Sequence, residues 1–288
     1  MGFRRTCVVV VVGLAGSSGC LLLTSLDGLS GGAASSDGGP ATSDGASDAD
    51  ASKPSPDASD ASAEATAEAG GWCATNAAGA EFCEDFDSVA GLGRFEHQQV
   101  FGGTLSLDGK ATRSAPNALL AVADPTADPD AGASSTLFVL HAPGKTATRA
   151  TLAFDVRFER FSQTSTTRLD FGVVYFGLSG GRVYEVGLEV TSDRRPYVYQ
   201  YDPRSDSTTT SAKTSPLAVG QWARMQLTVR YADAQADLDI DGVRVVSGLA
   251  LQPPGPSGVI SFATGVEWAM SPHDGWSVRL DDETCDLQ

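Results

Sequence analysis

Two carboxylates in one alternating run are the first residues whose spacing suggests chemistry. In Glu185-Val-Gly-Leu-Glu189 both acids fall on the same face of a strand, the arrangement from which a glycoside-cleaving acid and nucleophile can act. Positions four apart on an unbroken strand are about 13 Å apart. Retaining chemistry needs carboxyl groups about 5–5.5 Å apart and inverting chemistry about 6.5–9.5 Å. The residue between them on that face is Gly187 rather than a third acid. The expectation is therefore that no residue is catalytic, with Glu185 and Glu189 the nearest candidates. The three histidines, His97, His141 and His273, show no nucleophile or zinc spacing, and no G-x-S-x-G occurs.

Binding chemistry is better represented. Tyr197-Val-Tyr-Gln-Tyr201 sends its three tyrosines to one face, and such rings offer an apolar platform with hydroxyl donors suited to a sugar. Arg168, Asp170 and Glu185 from neighbouring strands complete a candidate glycan groove. The alternative is that the rings only fill space between two sheets. For metals, Asp124-Pro-Thr-Ala-Asp128-Pro-Asp130 gathers hard oxygen ligands, as does Asp281-Asp282. Calcium at Asp124, Asp128 and Asp130 is the only cofactor these residues suggest. The loop lacks the glycine and terminal glutamate of an EF-hand.

The elements that must position these groups are strands. In Leu152-Ala-Phe-Asp-Val-Arg-Phe158, apolar residues alternate with polar ones, the period of a half-buried strand. Similar runs occur at 169–178, 182–190, 197–201, 222–231, 236–241, 243–247, 259–263 and 276–282, with earlier ones at 82–86, 104–107, 118–123 and 136–141. Asp241-Gly242 between two such runs predicts a two-residue hairpin turn, and Ser179-Gly180-Gly181 a similar one. Many short strands with no long helical period predict an all-β, two-sheet antiparallel sandwich.

Three regions differ in composition. Arg4 and Arg5, an apolar run from Cys7 to Ala15 and the small residues Gly16–Gly19 before Cys20 resemble a bacterial lipoprotein signal (residues 1–29), with Cys20 as the lipidated residue. Ser17 stands where such signals usually have Leu. The rival is an uncleaved anchor, because Thr6–Leu26 is uncharged for 21 residues. Residues 30–71 contain no Val, Ile, Leu, Met, aromatic residue or Cys, so they are expected to form a disordered linker. Residues 72–288 form the globular domain. The chain's net charge of −16 leaves no basic footprint for nucleic acid. Its expected partners are a glycan or other extracellular ligand, and a membrane through the lipid.

Gly220-Gln-Trp222 entering a strand and the Asp241-Gly242 hairpin resemble the central hairpins of laminin-G-like domains, members of the concanavalin A-like lectin/glucanase superfamily. Phe82-Cys-Glu-Asp-Phe86 resembles the opening strand of such jelly rolls and Trp276–Asp282 the closing one. An Ala/Asp/Ser tether before this domain resembles surface lipoproteins of myxobacteria. The resemblance implies that first and last strands lie side by side. Alternation then turns Cys83 and Cys285 outward together, making Cys83–Cys285 the expected staple, with Cys73–Cys83 as its rival. Lyases of this fold usually carry dense Arg, His, Gln and Tyr motifs on inner strands, and none is apparent. The expected function is thus an exported, surface-tethered domain that binds carbohydrate or another extracellular ligand without catalysis. A polysaccharide hydrolase or lyase, or a structural envelope protein, are the alternatives.

Overall fold

The computed structural model describes residues 71–87, 91–141, 147–165, 167–177, 183–252 and 260–288, without the side chains of 91, 138–141 and 177. The signal with Cys20, the linker up to residue 70, the Ser179–Gly181 turn and the side chain of His141 lie outside the described residues.

The chain opens with a short helix, α1 (Trp72–Asn76), and β1 (Phe82–Glu84), followed by β2 (His97–Phe101), β3 (Gly103–Asp108), β4 (Ala118–Ala123) and β5 (Ala133–His141). The middle holds β6 (Arg149–Arg160), β7 (Arg168–Gly177), β8 (Val183–Thr191), β9 (Pro196–Asp202) and β10 (Ser207–Thr210). The last third holds β11 (Trp222–Arg230), β12 (Gln235–Ile240), β13 (Val243–Ala250), β14 (Ile260–Ala269) and β15 (Trp276–Leu287). Among the described residues these strands form two antiparallel sheets. The eight-stranded sheet runs β13-β12-β11-β6-β15-β4-β3, with β1 paired to the far half of β15, and the seven-stranded sheet runs β10-β9-β8-β7-β14-β5-β2. The all-β jelly-roll sandwich expected from strand periodicity is the observed fold.

The core lies between the sheets and follows the predicted alternation. Leu152, Phe154, Val156 and Phe158 of β6 bury against Phe171, Val174 and Phe176 of β7 and their neighbours. Burying a large apolar side chain contributes about 1.5–3 kcal/mol, so one such strand holds the sheets face to face. At the predicted hairpin, Asp241 and Gly242 both take positive φ, 51° and 75°, and Ile240 pairs with Val243 across the turn.

Alternation fails within the last strand. A register shift between Asp281 and Thr284 interrupts the β15–β6 ladder, and Asp282 sits there at φ 52°. The extra residue flips the parity of everything after it. Val278 and Leu280 enter the core before the bulge, and Cys285 enters it afterwards. Glu283 also turns inward, accepting a hydrogen bond from Thr264 Oγ1 at 2.9 Å.

The expected Cys83–Cys285 staple is therefore corrected. β1 does lie beside β15, but Cys285 stands opposite Phe82 and Cys83 opposite Thr284. Adjacent positions project to opposite faces, so the two sulfurs lie on opposite sides of the sheet. Cys83 bonds instead to Cys73 of α1, with Cα atoms 5.7 Å apart, and Cys285 is a buried free thiol. The disulfide holds α1 on the outer face of the eight-stranded sheet, where the Arg224 guanidinium lies 5.1 Å from the centre of the Trp72 ring.

The bulge also gathers acids. Burial pushes the carboxyls of Asp281 up to about 7, Asp282 to about 6 and Glu283 to about 7, while Ser114 Oγ and the backbone N–H groups of Arg113 and Ser114 donate to Asp281. Burial likewise raises Glu84 and Asp155. Each of these groups binds its proton more tightly folded than unfolded. The stability they bring is complete below about pH 4, the unfolded carboxylate range, and is lost as pH rises through about 6–7. Buried His273, whose pKa is lowered, works in the opposite direction, and so do Asp108, Asp193, Asp202 and Asp274, whose lowered carboxyls lose their stabilising effect only below about pH 4. The thermal midpoint is accordingly expected to fall between pH 5 and pH 8, and Asp281→Asn to flatten that profile. A midpoint that rises over this range would refute the assignment.

Candidate active site

Period two gives every strand of the seven-stranded sheet a second face. On β7, Val174 and Phe176 enter the main core, whereas Val173 and Tyr175 join a separate cluster with Tyr197, Tyr199 and Ala263, and with Tyr201 against it. This cluster lies on the side turned away from the other sheet. The tyrosines therefore do not fill space between the sheets. They build the outer face.

Cross-strand pairs share a face, so the register assembles the rest. Glu185 of β8 stands opposite Tyr175 on one side and Tyr201 on the other, and Gly187 stands between Val173 and Tyr199. Glu189 stands between Asp170 and Tyr197. Arg168 Nε lies 3.5 Å from Glu189 Oε2. Thus Tyr197, Tyr199, Tyr201, Arg168, Asp170, Glu185 and Glu189, singled out in the sequence, all come to one surface. Glu185 and Glu189 remain four residues apart on a ladder without a break between β8 and β9. Their strand positions are about 13 Å apart, which is not the spacing of a glycosidase pair.

Other residues were not legible. Tyr175 donates its hydroxyl to Glu267 Oε1 at 2.7 Å. Burial, with Glu267, Glu185 and Tyr199 adding to it, raises the Tyr175 phenol well above its usual value, so it stays protonated. Glu267 reaches this face by plain alternation, four residues after Ala263 and next to inward Val266, and the β14–β7 register shift between Thr264 and Trp268 turns Trp268 to the same side. The half-buried Trp268 packs 5.8 Å, centroid to centroid, from Phe101 of β2. Gln99 and Phe101 share the face through pairs with Thr136 and Ser134. The only sequence signal was that β7 is apolar from Phe171 to Phe176 apart from Gly172, the mark of a strand buried on both sides.

The acidic loop does not build a metal centre. Asp124, Asp128 and Asp130 are exposed, and Asp128 Oδ1 accepts the backbone N–H of Asp130 at 3.0 Å. Among the described residues no group of three His, Cys, Asp or Glu could hold a metal ion. Asp281 and Asp282 are occupied by Ser114 and by backbone donors. His97 is exposed on β2, whereas His273 is buried and its backbone pairs with that of Thr126.

No protein-family model matches the chain, and no curated protein matches it in sequence. Solved structures do match in fold. The endo-β-1,4-glucuronan lyase from the fungus Trichoderma reesei aligns with a TM-score of 0.57 at 15% identity, covering 73% of this chain and 96% of that one. An alginate lyase from Chlorella virus aligns with a TM-score of 0.51 at 12% identity, covering 73% and 100%. At such identities the likeness is one of fold. It nevertheless corrects the expectation of a non-catalytic binding domain. That expectation rested on a missing lyase residue pattern, and solved structures that share this fold include polysaccharide lyases.

The fit of Tyr199 over Gly187 can be tested directly. A Cβ at Gly187 would lie 2.8 Å from Tyr199 Cε1 and 3.0 Å from its hydroxyl oxygen. Gly187→Ala is expected to lower stability by about 1–3 kcal/mol through overpacking and to change the tyrosine near-ultraviolet circular dichroism. An unchanged spectrum and melting midpoint would show that the ring does not rest on Gly187.

Proposed function

We propose that the domain is a polysaccharide lyase working on the outer face of the seven-stranded sheet, with Tyr175 and Glu267 at its centre. The observation that carries this is their 2.7 Å hydrogen bond on β7 and β14, adjacent strands in the middle of the sheet, in a fold shared with glucuronan and alginate lyases. Elimination from a uronate requires a base to take the C5 proton, the C4–O4 bond to break as C4=C5 forms, and O4 to receive a proton. Tyr175, held protonated, supplies the proton to O4. Glu267 takes the proton from C5. Transfer along the Tyr175–Glu267 hydrogen bond restores the starting state.

Incubation with glucuronan and with alginate is expected to give rising ultraviolet absorbance from the conjugated product. Tyr175→Phe should reduce that rate about a hundredfold or more with the melting midpoint retained. New reducing ends without the absorbance would replace elimination by hydrolysis. Neither signal on any polysaccharide would end the enzymatic reading.

We also propose that lipid on Cys20 and the Ala/Ser/Asp/Gly-rich segment 30–71 tether the domain, residues 72–288, to the cell envelope at the outer membrane or cell surface. What supports this is the order of the sequence: a basic start, an apolar run, small residues, then cysteine. Cys20→Ser is expected to abolish incorporation of labelled fatty acid and to move the protein out of the membrane fraction. Retention of label in that variant would refute the anchor.

A further inference from the structure

One cavity opens at the end of the same face, and it differs in charge from the middle. The middle of the face is acidic, with Asp170, Glu185 and Glu189 buried and Glu267 beside Tyr175. A polyanion gains nothing there beyond the reacting groups. The cavity, of about 320 Å³, is lined by two cations, Arg168 and Lys213, together with Tyr197 and the hydroxyls of Thr167 and Thr191.

Both cations retain donors for a ligand. Lys213 Nζ donates to Thr191 Oγ1 at 3.0 Å and to Asp193 Oδ2 at 3.1 Å, and an ammonium has a third proton to give. Arg168 Nε is buried without a hydrogen bond, with Glu189 Oε2 at 3.5 Å. A carboxylate entering between them is offered charge-assisted N–H donors, the stronger class of hydrogen bond, and Tyr197 offers a ring to the sugar that bears it. Arg168 and Tyr175 are seven residues apart on β7, on the order of 20 Å along the strand. The cavity is therefore separate from the reacting centre.

We propose that this cavity is a distal subsite that reads the carboxylate of a second uronate residue in the bound polymer, with Lys213 and Arg168 as its anion donors and Asp193 as the acid that moderates its affinity. The proposal deepens the lyase reading and rests on it for the substrate class. It implies that affinity comes from long uronate runs, which reach both places, and not from short oligomers, which reach only one.

The test is affinity electrophoresis of the purified protein in gels containing glucuronan, compared with a neutral β-1,4-glucan. Lys213 and Asp193 are both partly exposed, so neither variant threatens the fold. Lys213→Gln is expected to weaken binding to glucuronan about tenfold, the scale of one hydrogen bond to a charged group. Asp193→Asn is expected to strengthen it. In turnover, Lys213→Gln should raise KM for the polymer and leave kcat unchanged, with no effect on a uronate dimer. Equal retardation by the neutral glucan, unchanged binding in Lys213→Gln, or weakening by both variants alike would overturn the subsite. If the two variants shift binding in opposite directions while no polysaccharide yields the unsaturated product, the subsite stands and the lyase reading alone fails.

Discussion

The seven-stranded sheet must satisfy two faces with one run of residues per strand. Period two permits this only if each strand alternates core residues with residues that build the outer surface. On β7, Val174 and Phe176 serve the core while Val173 and Tyr175 serve the face. The scaffold fixes the surface residues because their neighbours are locked in the core. Shifting such a strand by one residue would exchange core and site together. Rigidity of the site and stability of the fold are thus one constraint.

Where a group is needed off that rhythm, the fold breaks it. The shift between Thr264 and Trp268 on β14 turns Trp268 outward beside Glu267, which alternation already places on that face. The shift on β15 does the reverse, carrying Glu283 and Cys285 inward after an outward Asp281. Burying several carboxylates in one strand costs solvation, offset in part by Ser114, Thr264 and nearby arginines. The result is a domain whose best stability lies on the acid side of neutrality.

The outer face combines two electrostatic environments. Its centre is a protonated phenol among carboxylates, suited to moving protons. Its end carries the cations Arg168 and Lys213, each beside one acid. A uronate polymer lying along the face would find attraction at one place and chemistry at another. Separating the two lets binding strength be adjusted without touching the reacting pair.

The sequence by itself determined the strands, the Asp241-Gly242 hairpin and the sandwich, because alternation and turn chemistry are local properties. It also determined that Tyr197, Tyr199 and Tyr201 share one face of their strand and Glu185 and Glu189 one face of theirs, since parity holds along unbroken strands, whereas only register brought those faces together. It did not reveal the fate of Cys285, because a single bulge inverts parity and leaves no mark that composition or spacing can show, and it missed Glu267 because the strand read as 259–263 runs on to Ala269. The disulfide followed the same rule: Cys83 turned from Cys285 to Cys73 once register put the two sulfurs on opposite sides of β1 and β15. Nor could it reveal the pairing of Tyr175 with a residue 92 positions away. Such a contact is a property of strand order, which only tertiary packing decides.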